Sequence, residues 1–191
     1  MGYDMHLVRP PEGERAAHES ASKAFDSAVS DRDALALPPQ HPEYRSAQEK
    51  VSRAYDAMQA TYTSHFHLTT WGMSECRAIM DHFGMLSVAQ PPGPPAPAAS
   101  GASGEQDETR LAWTPPQPRG ITLHKLGGDE GWIVTPVEIH AALAAYSANR
   151  TSNPAFLAEL ITEADWWPEW IDYLKRAAAH GGFRTYGPHA T

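Results

Sequence analysis

Two stretches near the start of the chain carry apolar residues at helical spacing. The first stripe is narrow and consists mostly of small residues, namely Ala17, Ala21, Ala24, Phe25 and Ala28. The second runs from about 42 to 62 and places Ala47, Val51, Ala54, Tyr55, Met58 and Tyr62 along one face. The segment "LALPPQHPEY" interrupts the chain between them. Because residues three and four apart share a helix face, the pattern predicts two helices that pack as an antiparallel pair.

Residues 64 to 85, "SHFHLTTWGMSECRAIMDHFGM", change periodicity part of the way through. β-branched and aromatic residues between 62 and 70 favour a short extended segment. A helix is expected from Ser74, with Cys76, Ile79, Met80 and Phe83 on its apolar face. Gly84 is placed to end that helix in the left-handed conformation. Cys76 is then expected to behave as a buried small hydrophobe rather than as a nucleophile.

The histidines of this stretch raise the question of a metal site. In a strand, His65 and His67 point to the same face and can share a metal ion, whereas in a helix they cannot. A zinc site needs three or four ligands, and the sequence contains neither a His-Glu-x-x-His run nor a Cys-x-x-Cys pair. We therefore predict no metal site, with His65, His67 and His82 as weak candidate ligands.

The segment from 121 to 146 carries the clearest local signals. Two strand-like runs, 121 to 126 and 132 to 134, flank "GGDEG" and predict a β-hairpin. Thr135 is expected to cap a helix, with Pro136 at its first position and Glu138 closing a capping box. The glycine-rich loop lacks the Lys-Ser/Thr of a phosphate-binding loop and carries two acidic residues, which disfavours nucleotide binding.

The remaining apolar patterns complete the predicted fold. Further helices are expected from about 153 and from 168 to 180, and short strands at Met5 to Val8 and Phe183 to Tyr186. The sequence predicts a mainly α (α+β) fold, a helical domain of about five to six helices with a small β-hairpin or short antiparallel sheet.

One compositional break interrupts this pattern. In "QPPGPPAPAASGASG", residues 90 to 104, every residue except the first is Pro, Gly, Ala or Ser. Such a segment has too few apolar side chains to offset the entropy lost on ordering. We predict a single domain over 1–191, interrupted by a disordered insertion at about 88–112.

Charge and cysteine content narrow the class of protein. The 191 residues carry 23 acidic and 15 basic side chains, a formal net charge of −8, and one cysteine. The absence of clustered Lys and Arg disfavours phosphate backbones and anionic membranes, so we predict neither nucleic acid nor a membrane as partner. A single cysteine cannot form an intrachain disulfide, and the first residues lack the pattern of a signal peptide. These features predict a cytoplasmic protein.

The segment "ADWWPEWIDY" concentrates three of the six tryptophans. If exposed, Trp166 and Trp167, flanked by Asp165 and Glu169, would form an anchor for a protein partner; if buried, they belong to the core. Histidines and carboxylates are plentiful elsewhere, but no spacing forces a catalytic pair together. We therefore predict no catalytic residues and no cofactor.

Four segments, "MGYDMHLV", "FHLTTWGM", "HKLGGDEGWIVTP" and "AAAHGGFRTY", resemble a family of proteins from high-GC actinobacteria with no assigned activity. The resemblance covers most of the chain outside the insertion. It implies a cytoplasmic accessory role, and the Ala- and Pro-rich composition suits a high-GC genome.

Two hypotheses for function follow from the sequence. The first is a non-catalytic protein-binding module of the immunity, adaptor or regulatory type, whose partner is another protein or a second copy of this chain. The alternative is a small metal-dependent or small-molecule enzyme that uses histidines gathered by the fold.

Overall fold

The computed structural model describes residues 2–91, 109–128, 130–152 and 154–187. The described residues fall into two compact units. Residues 10–64 form one unit, and residues 1–9 together with 65–191 form the other. The predicted insertion at 88–112 lies mostly outside the described residues, so it stays a prediction, as does the assignment of the whole chain to one domain.

The unit of residues 10–64 is a helical hairpin. Helix α1 spans Glu14–Ala34 and helix α2 spans Pro42–Thr61. The two helices run antiparallel, since His18 Nδ1 lies 3.3 Å from Thr61 Oγ1 at one end and Arg32 donates to Gln48 (2.9 Å) at the other. The predicted antiparallel pair is confirmed.

A buried carboxylate links the two ends of this hairpin. Glu14, the first residue of α1, is only 8% exposed. Its Oε1 accepts hydrogen bonds from the Thr63 hydroxyl (2.9 Å) and from the Ser64 backbone N–H (2.7 Å). The start of α1 is thereby fastened to the chain that follows α2.

Among its described residues, the second unit contains a small sheet, a pair of short parallel strands and four helices of at least ten residues. Its strands are β1 Gly2–Leu7, β2 His65–Thr69, β3 Leu86–Ser87, β4 Ile121–Thr122, β5 Ile133–Val134 and β6 Phe183–Tyr186. Four of them form an antiparallel sheet in the order β2-β1-β6-β5, while β3 and β4 form a parallel pair. The helices are α3 Thr70–His82, α4 Pro136–Asn149, α5 Pro154–Glu163 and α6 Trp167–Ala179.

The inner face of the sheet packs on the hydrophobic core. Alternate residues of β1 point inward, and the side chains of Tyr3, Met5 and Leu7 are buried. From β2, the ring of Phe66 lies 5.3 Å from those of Trp170 and Tyr173 of α6. The period-2 pattern of these strands therefore assigns one face to the core and leaves the other to polar side chains.

The predicted fold class is confirmed: the protein is mainly helical with a small antiparallel sheet. The strand Phe183–Tyr186 begins and ends where the sequence predicted, and β1 covers Gly2–Leu7 rather than Met5 to Val8. No helix of the described residues combines the length and the apolar character needed to cross a bilayer.

The predicted hairpin between 121–126 and 132–134 is wrong. β4 ends at Thr122 and pairs with β3, residues Leu123–Leu126 form a 3-10 turn, and β5 pairs with β6. The turn directs Lys125 inward, where its ammonium donates to Glu138 Oε2 (2.7 Å) and to the carbonyl oxygen of Ile133 (2.8 Å). These contacts hold 121–126 and 132–134 together through a side chain, without a strand ladder.

Helix α3 begins four residues earlier than predicted. Thr69, not Ser74, caps it, since its hydroxyl accepts the backbone N–H of Gly72 (3.0 Å). The rest of the prediction is confirmed: Cys76, Ile79, Met80 and Phe83 are buried, and Gly84 adopts a left-handed φ of 67°. The capping box of Thr135 and Glu138 is also present at the start of α4.

Candidate metal centre

The outer face of strands β1 and β2 carries a cluster of ligand-type side chains. Because successive strand residues point to opposite faces, burying Tyr3, Met5 and Leu7 turns Asp4 and His6 outward. In β2, His65 and His67 share the outward face. The antiparallel register pairs Asp4 with His67 and His6 with His65. The four side chains are therefore neighbours on the outer face, two from each strand.

Two of the histidines donate hydrogen bonds to the same carboxylate oxygen of Asp4. His65 Nε2 donates to Asp4 Oδ1 (2.8 Å), and His67 Nδ1 donates to the same atom (2.9 Å). Among the described residues, Asp4, His65 and His67 form a group whose ligand atoms all lie within 4.8 Å of one another. The Asp4 and His67 side chains are about half exposed (46% and 50%), so the cluster is open to solvent.

The cluster shifts the acidity of two groups. Burial acts to raise the pKa of the Asp4 carboxyl, but hydrogen bonds from His67 and His65 outweigh it and hold the pKa below its ordinary value. Burial lowers the pKa of His6, and the neighbouring His65 adds to this effect. Asp4 is therefore ionised near neutral pH, as a metal ligand must be, and His6 favours its neutral form.

A glycine makes room for the His67 ring. A Cβ built on Gly2 would overlap Cε1 of His67 and lie 2.7 Å from the carbonyl oxygen of Leu68. Real Cβ atoms do not approach other atoms so closely, so the ring occupies space that exists because residue 2 has no side chain. Gly2 therefore contributes to the site by leaving space for the His67 ring.

The side chains of the cluster are of the types that bind transition metals. Metal–ligand bonds of about 2.0–2.2 Å place neighbouring ligand atoms roughly 3 to 3.5 Å apart. The two distances to Asp4 Oδ1 fall slightly short of this range, and the three ligand atoms lie within 4.8 Å of one another, so the side chains would have to rotate to admit an ion. On binding, the ring nitrogens that face Asp4 would present lone pairs, with their protons moved to the other ring nitrogen or to solvent.

The three weak histidine candidates from the sequence do not lie together in the structure. His65 and His67 lie together, but His82 lies on the last turn of α3, with its ring 4.0 Å from that of Phe156. Sequence reasoning missed Asp4, although the alternation in "YDMHL" already placed Asp4 and His6 on the polar face of a strand. Nothing local indicated that this strand would pair with residues 61 positions away.

The tryptophan-rich segment is mostly core. Trp167 and Trp170 are 1% and 0% exposed, and Trp166 is half-buried with its ring edge-on to Trp167 (6.0 Å). Asp165 and Glu169 are exposed. Trp167 is thus not accessible as the partner anchor that the sequence suggested, because its position on the inward side of α6 places its ring in the core.

The buried pair of Lys125 and Glu138 is a structural element of this unit. Both side chains are 0% exposed, and Glu138 also accepts hydrogen bonds from Thr122 and Thr135. Burial lowers the pKa of Lys125, although Glu138 opposes the shift. A substrate cannot reach a fully enclosed pair, so its role is to fasten the 3-10 turn to the start of α4.

Comparisons with known proteins add no information on this site. No family profile, no curated protein and no solved structure matches the chain.

Proposed function

We propose that the protein binds a divalent first-row transition-metal ion through Asp4, His65 and His67. The observation that carries the proposal is the convergence of two imidazole nitrogens and one ionised carboxylate within 4.8 Å on adjacent strands. It develops the metal-dependent alternative of the sequence analysis.

The ligand set favours one class of ion. Imidazole nitrogens suit zinc, iron, nickel and copper, whereas calcium and magnesium prefer a shell of oxygen atoms. Two imidazoles with one carboxylate therefore support a transition metal, and zinc or cobalt(II) is a suitable probe.

The exposure of the cluster supports a reactive centre rather than a structural one. Structural zinc sites have four protein ligands and are closed to solvent, whereas catalytic sites keep a position for water or substrate. Three protein ligands on a half-exposed sheet face leave such a position open. An ion held there would act as a Lewis acid on a bound oxygen.

A cobalt(II) titration of protein purified without an affinity tag tests the proposal. The expected result is saturable binding of one ion per chain with visible d–d absorption, weakened at least tenfold in Asp4→Ala and in His67→Ala. His140→Ala is the matched control, because His140 is an exposed histidine of α4 outside the cluster. Equal affinity in all four proteins, or no saturable binding by the unaltered chain, would overturn the proposal.

We retain protein binding as a second candidate function because of one exposed aromatic residue. Trp71, in the first turn of α3, is 88% exposed, whereas the tryptophans of the 165–170 segment are buried or half-buried. Large exposed aromatic side chains are common anchors of protein interfaces. The test is sedimentation velocity over a range of concentrations: self-association lost in Trp71→Ala supports it, and a Trp71-independent profile counts against self-association through this residue.

A further inference from the structure

Two residues of β6 extend the outer face of the sheet beyond the cluster of Asp4, His6, His65 and His67. Strand β6 lies on the other side of β1 from β2, and its register pairs Arg184 with His6 and Tyr186 with Asp4. Phe183 and Thr185 are fully buried, so Arg184 and Tyr186 point to the outer face, where both are half-buried. The Tyr186 ring lies 5.9 Å from the His6 ring, edge-on.

The order of side chains across the three strands places Arg184 next to His6 and two strands away from His65. One row runs His65, His6, Arg184, and the next runs His67, Asp4, Tyr186. Neighbouring strands are about 4.8 Å apart, so Arg184 is anchored roughly 10 Å from His65. Since the Arg side chain is long, its guanidinium can contact a small ligand that also touches an ion beside His65 and Asp4.

With a divalent ion bound, the charges of this face would favour an anion. Asp4 is the one acidic residue among those that β1, β2 and β6 turn outward. A bound divalent ion would more than neutralise it, and Arg184 adds a further positive charge. Tyr186 carries a phenolic hydroxyl on the same face, and His6 can donate one imidazole N–H.

We propose that the outer face binds a ligand with an anionic oxygen group, a phosphate or a carboxylate, held between the metal ion and Arg184. This inference rests on the proposed metal centre and names the class of its ligand. A guanidinium suits this role because it presents paired N–H donors to the oxygen atoms of such groups. One oxygen would occupy the open metal position while another accepts from Arg184.

Calorimetric titration of the zinc-loaded chain with inorganic phosphate, and separately with acetate, tests the inference. We expect saturable binding of at least one of the two anions, and the stronger of them indicates whether the natural ligand carries a phosphate or a carboxylate. Arg184→Met should weaken this binding at least tenfold while leaving zinc affinity within about threefold. Arg119→Met is the matched control, because Arg119 is an exposed arginine in the segment before β4.

The outcomes separate this inference from the metal centre itself. A chain that binds zinc but neither anion, or whose anion binding is the same in Arg184→Met as in the unaltered chain, would overturn the anion site and leave the metal centre standing. Equal anion affinity with and without zinc would also overturn it. Absence of zinc binding would overturn both.

Discussion

At the scale of single residues, burial decides which reactive groups of this chain can react. Cys76 is 0% exposed, its Sγ lies 3.7 Å from Met80 Sδ, and burial raises the pKa of the thiol far above its ordinary value. The carboxylate of Asp4 and the rings of His65 and His67, in contrast, remain open to solvent. The same unit thus contains an inert thiol in the core and an accessible ligand cluster on its surface.

Cys76 is expected to react slowly with a thiol reagent in the native protein and rapidly in denaturant, because the thiolate is the reactive form. Cys76→Ser should cost roughly 1 to 3 kcal/mol of unfolding free energy by burying a hydroxyl in an apolar site. Native and denatured labelling rates followed by mass spectrometry check the first expectation. Equal rates in the two states would show that Cys76 is accessible.

Gly2→Ala is expected to weaken metal binding and, because its methyl group would also meet the backbone carbonyl oxygen of Leu68, to weaken the pairing of β1 with β2. The added methyl group would overlap the His67 ring and force it away from Asp4. The remaining ligands, Asp4 and His65, should bind zinc at least tenfold more weakly, as measured by competition with a chromophoric chelator. Unchanged affinity would mean that the His67 ring does not need this position in order to bind.

At the scale of secondary-structure elements, local signals and the pairing of α1 with α2 were predictable, and the pairings between strands distant in sequence were not. The left-handed Gly84, the capping box of Thr135 and Glu138, and the strand Phe183–Tyr186 depend on neighbours in sequence, and all three predictions are confirmed. The hairpin prediction failed because Lys125 turns inward to bind Glu138. Strand propensities do not include such a contact between distant side chains. The cluster required the pairing of β1 with β2, which the separate patterns of the two strands do not encode.

The helical hairpin should lose stability in acid through Glu14. Hydrogen bonds from Ser64 and Thr63 outweigh burial and lower the pKa of the Glu14 carboxyl below its ordinary 4.5. A lowered folded-state pKa contributes stability that is fully present above pH 4.5 and is lost as the pH falls through the folded-state value. Glu14→Gln should therefore be less stable than the unaltered chain at neutral pH, by about 1 to 3 kcal/mol.

Urea unfolding gives the difference in unfolding free energy between the unaltered chain and Glu14→Gln, and this difference is compared at about pH 6.5 and about pH 3. The gap between the unaltered chain and Glu14→Gln should narrow in acid, because protonation removes the charge that the substitution removes. A gap that is the same at both pH values would contradict the role given to the Glu14 carboxylate.

At the scale of the whole molecule, the second unit is assembled from both ends of its sequence. β1 and β2 precede the predicted insertion, β6 follows it, and β1 pairs with both β2 and β6. The parallel pair of β3 and β4 also joins segments on the two sides of residues 92–108. The outer face that carries Asp4, His65, His67 and Arg184 exists only when these segments are together.

Cleavage within the predicted insertion should therefore leave the two fragments associated. Elastase cuts after small residues, which are frequent between 90 and 104. A nicked protein that elutes as one species in size-exclusion chromatography, and shows two bands on a denaturing gel, is the expected result. Fragments that elute separately would contradict the pairing of strands across the insertion.

Anomalous diffraction from crystals grown with zinc, measured on both sides of the zinc absorption edge, shows whether Asp4, His65 and His67 hold a metal ion. The expected result is one strong anomalous peak within about 2.0–2.2 Å of Asp4 Oδ1, His65 Nε2 and His67 Nδ1. A map with no peak at this position, or with zinc bound at other histidines alone, would contradict it.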